Sequence, residues 1–110
     1  MALLTWNLTC EELYDMLSAK FPTAETDWTG HGKLPKPPFT VYSELSPTNV
    51  KADNKTFHSY RNFRVELYRH KTDYTSETVI ETLFDDNDLY WSKDRVWNKE
   101  LDLYQVIYEI

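Results

Sequence analysis

Between Phe63 and Tyr68 the side chains alternate without a break, Phe63, Val65 and Leu67 on one side and Arg64, Glu66 and Tyr68 on the other. Successive side chains of a strand point to opposite faces. The run Tyr60 to Arg69 therefore predicts a strand with one face in a core and the other toward solvent or a partner.

Other segments repeat or break that period. Phe39 to Glu44 alternates in the same way and predicts a second strand. A further strand starts at Leu89 to Ser92 and runs to about Trp97, with a turn at Asn98 and Lys99. Leu101 to Ile110 is the last strand. Tyr104, Val106, Tyr108 and Ile110 share one of its faces and Leu101, Leu103 and Ile107 the other. Large apolar groups on both faces predict a strand that is central or covered on both sides.

Two segments switch to the helical period. Thr9-Cys10-Glu11-Glu12 reads as a capping box, followed by Cys10, Leu13, Tyr14, Leu17 and Phe21 at helical spacing until Pro22 ends the pattern. This predicts a helix over about 10–20. A second helix over about 75–85 is capped by Asp73 or Thr75. Its inner face is Ser76, Val79, Ile80, Leu83 and Phe84, with Glu77 and Glu81 outside. Asp85-Asp86-Asn87-Asp88 ends it.

Residues 22–38 hold four of the five prolines and both glycines, and predict a stiff connector that includes the Pro35-to-Pro38 PxxP spacing. Ser46 to Ser59 reads as a polar loop or hairpin tip. The order is α-β-β-α-β-β: an α+β domain spanning 1–110, with two helices packed on one face of a roughly four-stranded, mostly antiparallel sheet.

Composition narrows the function classes. A formal charge of −6 disfavours both a nucleic-acid grip and an anionic membrane surface. With glycine only at positions 30 and 32, a glycine-rich phosphate loop cannot be written elsewhere. Cys10 is the single cysteine, so no intrachain disulfide or CxxC knuckle is expected. The opening residues lack a basic region and a long apolar run, and no stretch has the ~20 apolar residues of a membrane span. His31, His58 and His70 are scattered, and no metal site is expected. Counted from Asp85, a calcium loop would need Gly where Tyr90 stands and Glu where Val96 stands. No serine lies in G-x-S-x-G, and Cys10 lacks a catalytic setting. No catalytic residue, enzyme activity or cofactor is expected. Four Trp, eight Tyr and five Phe exceed what one small core holds, which predicts aromatic surfaces buried on assembly.

Several pieces carry a resemblance: Ala52-Asp53-Asn54, Val65-Glu66-Leu67-Tyr68, Glu77-Thr78-Val79-Ile80-Glu81-Thr82-Leu83 and the closing Tyr104-Gln105-Val106-Ile107-Tyr108. Over residues 38–110 the chain resembles small tail proteins of siphophages and prophages of Gram-positive bacteria. The resemblance implies a tail-terminator or tail-completion (tail-to-head joining) subunit of the virion, made and assembled in the host cytoplasm. Such subunits form a hexameric ring on the head-proximal end of the tail tube. Its partners would be copies of itself, the tube protein and the head–tail connector proteins. DNA would pass through the lumen without specific binding. Ring closure needs heterologous contacts. These are expected in the long connectors, at Trp28, Lys33, Lys36, Asn49, Lys51, Asp53 and Lys55. Asp85, Asp86 and Asp88 are expected to face the lumen or a partner. The alternatives are a head-completion or connector subunit and, from another class, an acidic adaptor or inhibitor of a host protein.

Overall fold

The computed structural model describes residues 8–25, 34–45 and 63–110. Its elements are α1 (Cys10–Ser18), β1 (Thr23–Glu25), β2 (Phe39–Glu44), β3 (Phe63–Arg69), α2 (Thr75–Asp86), β4 (Ser92–Asn98) and β5 (Leu103–Glu109). The strands form one mixed sheet in the order β1-β2-β3-β5-β4. The α+β class holds, but the sheet has five strands rather than four. The extra strand, β1, lies inside the segment read as a connector and runs parallel to β2, with Thr23 opposite Thr40. Three residues directly after Pro22 are too few to show alternation. A hydroxyl pair across the strands (Thr23 Oγ1 to Thr40 Oγ1, 2.8 Å) supports the junction. All other pairings are antiparallel.

The local rules operate as expected at the helix starts. Thr9 Oγ1 accepts from the Glu12 amide at 3.1 Å, and Glu12 Oε1 accepts from the Thr9 amide at 2.9 Å. Ahead of α2, Asp73 rather than Thr75 supplies the cap, accepting from the amides of Thr75 and Ser76 and from the Ser76 hydroxyl. These bonds hold the Asp73 carboxyl below its ordinary pKa despite the opposing effect of burial. At the other end of α2 the acidic run builds a Schellman turn. Asp88 takes φ 57°, the Leu89 amide donates to the Phe84 carbonyl at 2.9 Å, and the Asp88 amide donates to the Asp85 carbonyl at 3.1 Å. Leu89 and Phe84 both bury their side chains in the core, which is the apolar contact that accompanies this motif.

One apolar cluster joins Leu13 and Leu17 of α1, Ile80 and Phe84 of α2, and Tyr42, Phe63, Val65, Leu67, Val106 and Tyr108 of the sheet. Strand pairing puts those sheet residues on a single face. Burial in β3 alternates as the sequence predicts. On the reverse face Glu66 accepts from Tyr68 Oη (2.8 Å) and Gln105 Nε2 (2.9 Å), so a half-buried carboxylate is satisfied across two strands. β5 is central, between β3 and β4, as its two apolar faces predict. Among the described residues no helix is long and apolar enough to cross a membrane.

Candidate functional site

The register that fixes the core also sends charge into it. Arg69 extends the Phe63-Val65-Leu67 face of β3 by one more step, and Lys93 and Arg95 of β4 point to that same face, opposite Tyr108 and Val106. Above them lies the first half of α2. Glu77 occupies a stripe with Ile80 and Phe84, three and seven residues on, and all three are buried. The helical period alone puts Glu77 and Glu81 on the outside of the helix. The structure corrects this: Glu77 is 6% exposed and Glu81 half-buried, because cations of the sheet face them.

Glu77 is the hub. Its Oε2 accepts from Arg69 Nε at 2.7 Å and Arg95 Nε at 3.1 Å, with Arg69 Nη2 at 2.6 Å. Its Oε1 accepts from Lys93 Nζ at 2.7 Å and Arg95 Nη2 at 2.9 Å. Glu81 Oε2 accepts from Lys93 Nζ at 2.6 Å and from the Tyr108 hydroxyl at 2.7 Å. Arg69, 2% exposed, also donates through Nη1 to the His70 carbonyl at 2.9 Å. Its guanidinium lies 4.9 Å from the Tyr104 ring centroid and 5.6 Å from that of Tyr74. Three cations thus surround two carboxylates, and the ion pairs clamp α2 onto β3 and the outer strand β4.

The electrostatics follow from these bonds. Burial alone would push the Glu77 carboxyl upward, but bonds from Arg95, Lys93 and Arg69 outweigh it and bring its pKa down to about 2. Burial likewise opposes the charge of Lys93, and its bonds to Glu77 and Glu81 outweigh that and raise its pKa. Burial and the neighbouring Glu81 both drive the Tyr108 phenol upward, so it stays protonated as a donor.

A pH dependence follows. The folded chain binds the Glu77 proton less tightly than the unfolded chain does. Its stabilising contribution is therefore complete above the ordinary value of 4.5 and fades as pH falls toward about 2. That contribution is roughly 3 kcal/mol. Unfolding by urea at a series of pH values from 6 to 2 is expected to show stability falling across this window. A Glu77→Gln variant should show a flatter profile.

With Glu77 saturated by cations, this cluster ties α2 to the sheet and acts as a lock. Among the described residues no group of three His, Cys, Asp or Glu could hold a metal ion.

The surface that the lock supports is β4. It is the last described strand on its side of the sheet, and every residue from Ser92 to Trp97 is exposed. Val96 is 42% and Trp97 38% exposed, with the Trp97 ring edge-on to Tyr104 at 4.9 Å and Lys71 Nζ 5.9 Å from its centroid. Tyr90, just before the strand, is 88% exposed.

The acidic residues named from sequence do not converge. Asp85 and Asp88 border one open concavity with Leu89 and Tyr90, and Asp85 accepts from the Trp91 indole at 2.9 Å. Asp86 borders another, of about 270 Å³, with Lys20, Thr78, Val79, Thr82 and Leu83. Of the connector residues, Lys36 is exposed, while Trp28, Lys33, Asn49, Lys51, Asp53 and Lys55 lie outside the described residues. Sequence reasoning missed the cluster altogether. Its signals were present: Glu77 in an apolar i, i+3, i+7 stripe, and Lys93 and Arg95 alternating in a strand. The chain matches no protein-family model and no curated protein.

Proposed function

We propose that this chain is a structural subunit of a bacteriophage tail, which caps the head-proximal end of the tail tube as a ring and offers a surface to the head connector. Besides the resemblance over residues 38–110, the observation that carries this reading is the β4 side of the fold. There the outer described strand exposes Val96 and Trp97, and Tyr90 just before it is exposed too, a distribution suited to burial on assembly. The mechanism is capping. One face of the ring complements the last tube ring, and the opposite face lacks what would recruit another tube subunit. Heterologous contacts between copies close the ring, with the connectors as the contact segments. Asp85, Asp86 and Asp88, if turned to the lumen, would repel passing DNA; a ring structure with all three on the outer rim removes that part of the proposal.

Deletion of the gene followed by electron microscopy of the particles tests the reading. Overlong tail tubes are the expected result. Tails of normal length detached from filled heads would move the role to the connector side, and intact infectious particles would overturn a tail role.

A further inference from the structure

We propose that two copies of this chain pair through their β4 edges across a two-fold axis centred on Val96, joining their sheets into one. This association is argued from β4, the same edge that supports the tail reading, and it is tested on the isolated chain, apart from the virion. An edge strand presents alternate backbone N–H and C=O groups outward, ready to pair with another strand. β4 is seven residues long, is the outermost described strand on its side, and is exposed from Ser92 to Trp97. Proteins commonly guard such an edge with charges on the inward face, which a second sheet would bury unpaired. Lys93 and Arg95 occupy those guarding positions here, but each is ion-paired within its own copy, Lys93 to Glu77 and Glu81 and Arg95 to Glu77, a carboxylate that Arg69 shares. The usual deterrent is therefore reduced, with one net positive charge left in each copy's cluster.

The occupant is a second copy because the strand complements itself in one register. Antiparallel pairing about a two-fold keeps both faces matched only when a residue sits on the axis opposite itself. Centring on Asp94 sets Asp94 against Asp94 and Lys93 against Arg95, all like charges. Centring on Arg95 sets Arg95 against Arg95 and charged Asp94 against Val96. Centring on Trp97 leaves only three strand residues per copy paired. Centring on Val96 sets Val96 against Val96, Arg95 against Trp97 twice, and Asp94 against Asn98 twice. This register uses five strand residues of each copy, avoids every like-charge pair within the strand, and places a guanidinium beside an indole on each side. The apolar pair at the axis covers a side chain that is 42% exposed in the single copy.

The test uses the full chain. Sedimentation equilibrium of the wild type is expected to show a monomer–dimer equilibrium, and Val96→Lys, which sets two ammonium groups face to face, is expected to weaken dimerisation by on the order of tenfold or more. In a Cys10→Ser background, Val96→Cys should cross-link to a disulfide dimer under mild oxidation. Asp94→Cys should not, since its two copies would lie roughly 14 Å apart at ~3.4 Å per residue. Circular dichroism checks that each variant is folded. A wild type that stays monomeric at high micromolar concentration overturns the proposal. So does a folded Val96→Lys variant that dimerises like wild type, or cross-linking of Asp94→Cys as readily as Val96→Cys. A failed dimer together with overlong tubes in the deletion mutant would leave the ring reading standing.

Discussion

Replacing Glu77 with Ala is expected to lower the free energy of unfolding by roughly 3 to 5 kcal/mol, because it strands a buried charge. Arg69 is 2% exposed and receives its ionic partner from Glu77, at 2.6–2.7 Å through Nη2 and Nε. Without that carboxylate the guanidinium keeps the His70 carbonyl and the flanking Tyr104 and Tyr74 rings, which do not neutralise it. Lys93 and Arg95 are different: with side chains 27% and 45% exposed, they can turn to water. The loss should therefore trace to Arg69. Combining Glu77→Leu with Arg69→Met removes both buried charges and is expected to recover most of the stability. Urea unfolding of the three proteins checks this. A drop below about 1 kcal/mol for Glu77→Ala would place the pair in the class of solvent-screened ion pairs.

The second large effect belongs to Phe84, where α2 meets β5. Its ring is fully buried and packs edge-on against Tyr108 at 5.4 Å. Phe84→Ala is expected to cost about 3 to 5 kcal/mol through lost transfer free energy and the cavity left behind. Phe84 also supplies the carbonyl and the apolar contact of the Schellman turn, so the end of α2 and the Trp91 indole bonded to Asp85 should loosen together. Thermal unfolding measures the loss, and Trp fluorescence of the folded variant reports the turn. Tyr90→Ala, six residues on but 88% exposed, should stay within about 0.5 kcal/mol of the wild type. A comparable loss in both variants would show that the core does not end where the structure ends it.

Where the chain's own period decides burial, the sequence was readable. The Phe63-Val65-Leu67 face, the Thr9 box, a cap at Asp73 or Thr75 and the central place of β5 all follow from local chemistry and from the faces that alternation defines. β1 was not readable, because three residues after a proline carry no period, and a parallel partner is chosen by proximity. The acidic run was read correctly as the end of α2. Its form was missed because a left-handed C′ residue is usually glycine, and this chain uses Asp88.

The ion-pair cluster marks the boundary between the two kinds of information. Sequence by itself offered Lys93 and Arg95 at alternate positions of a strand and Glu77 three and seven residues before Ile80 and Phe84, while the helical period still put Glu77 on the outside. Lone charges in such positions are ordinarily solvated, so that spacing alone did not decide that Glu77 is buried. Only the tertiary structure decided it, by laying α2 across β3, β5 and β4 in the register that brings Arg69, Lys93 and Arg95 within hydrogen-bond reach of one carboxylate. The physical reason is that a buried charge is tolerable only beside its counter-charges. Those counter-charges come from strands 8 and about 16 to 18 residues away in the chain, brought together by strand pairing that no local pattern encodes.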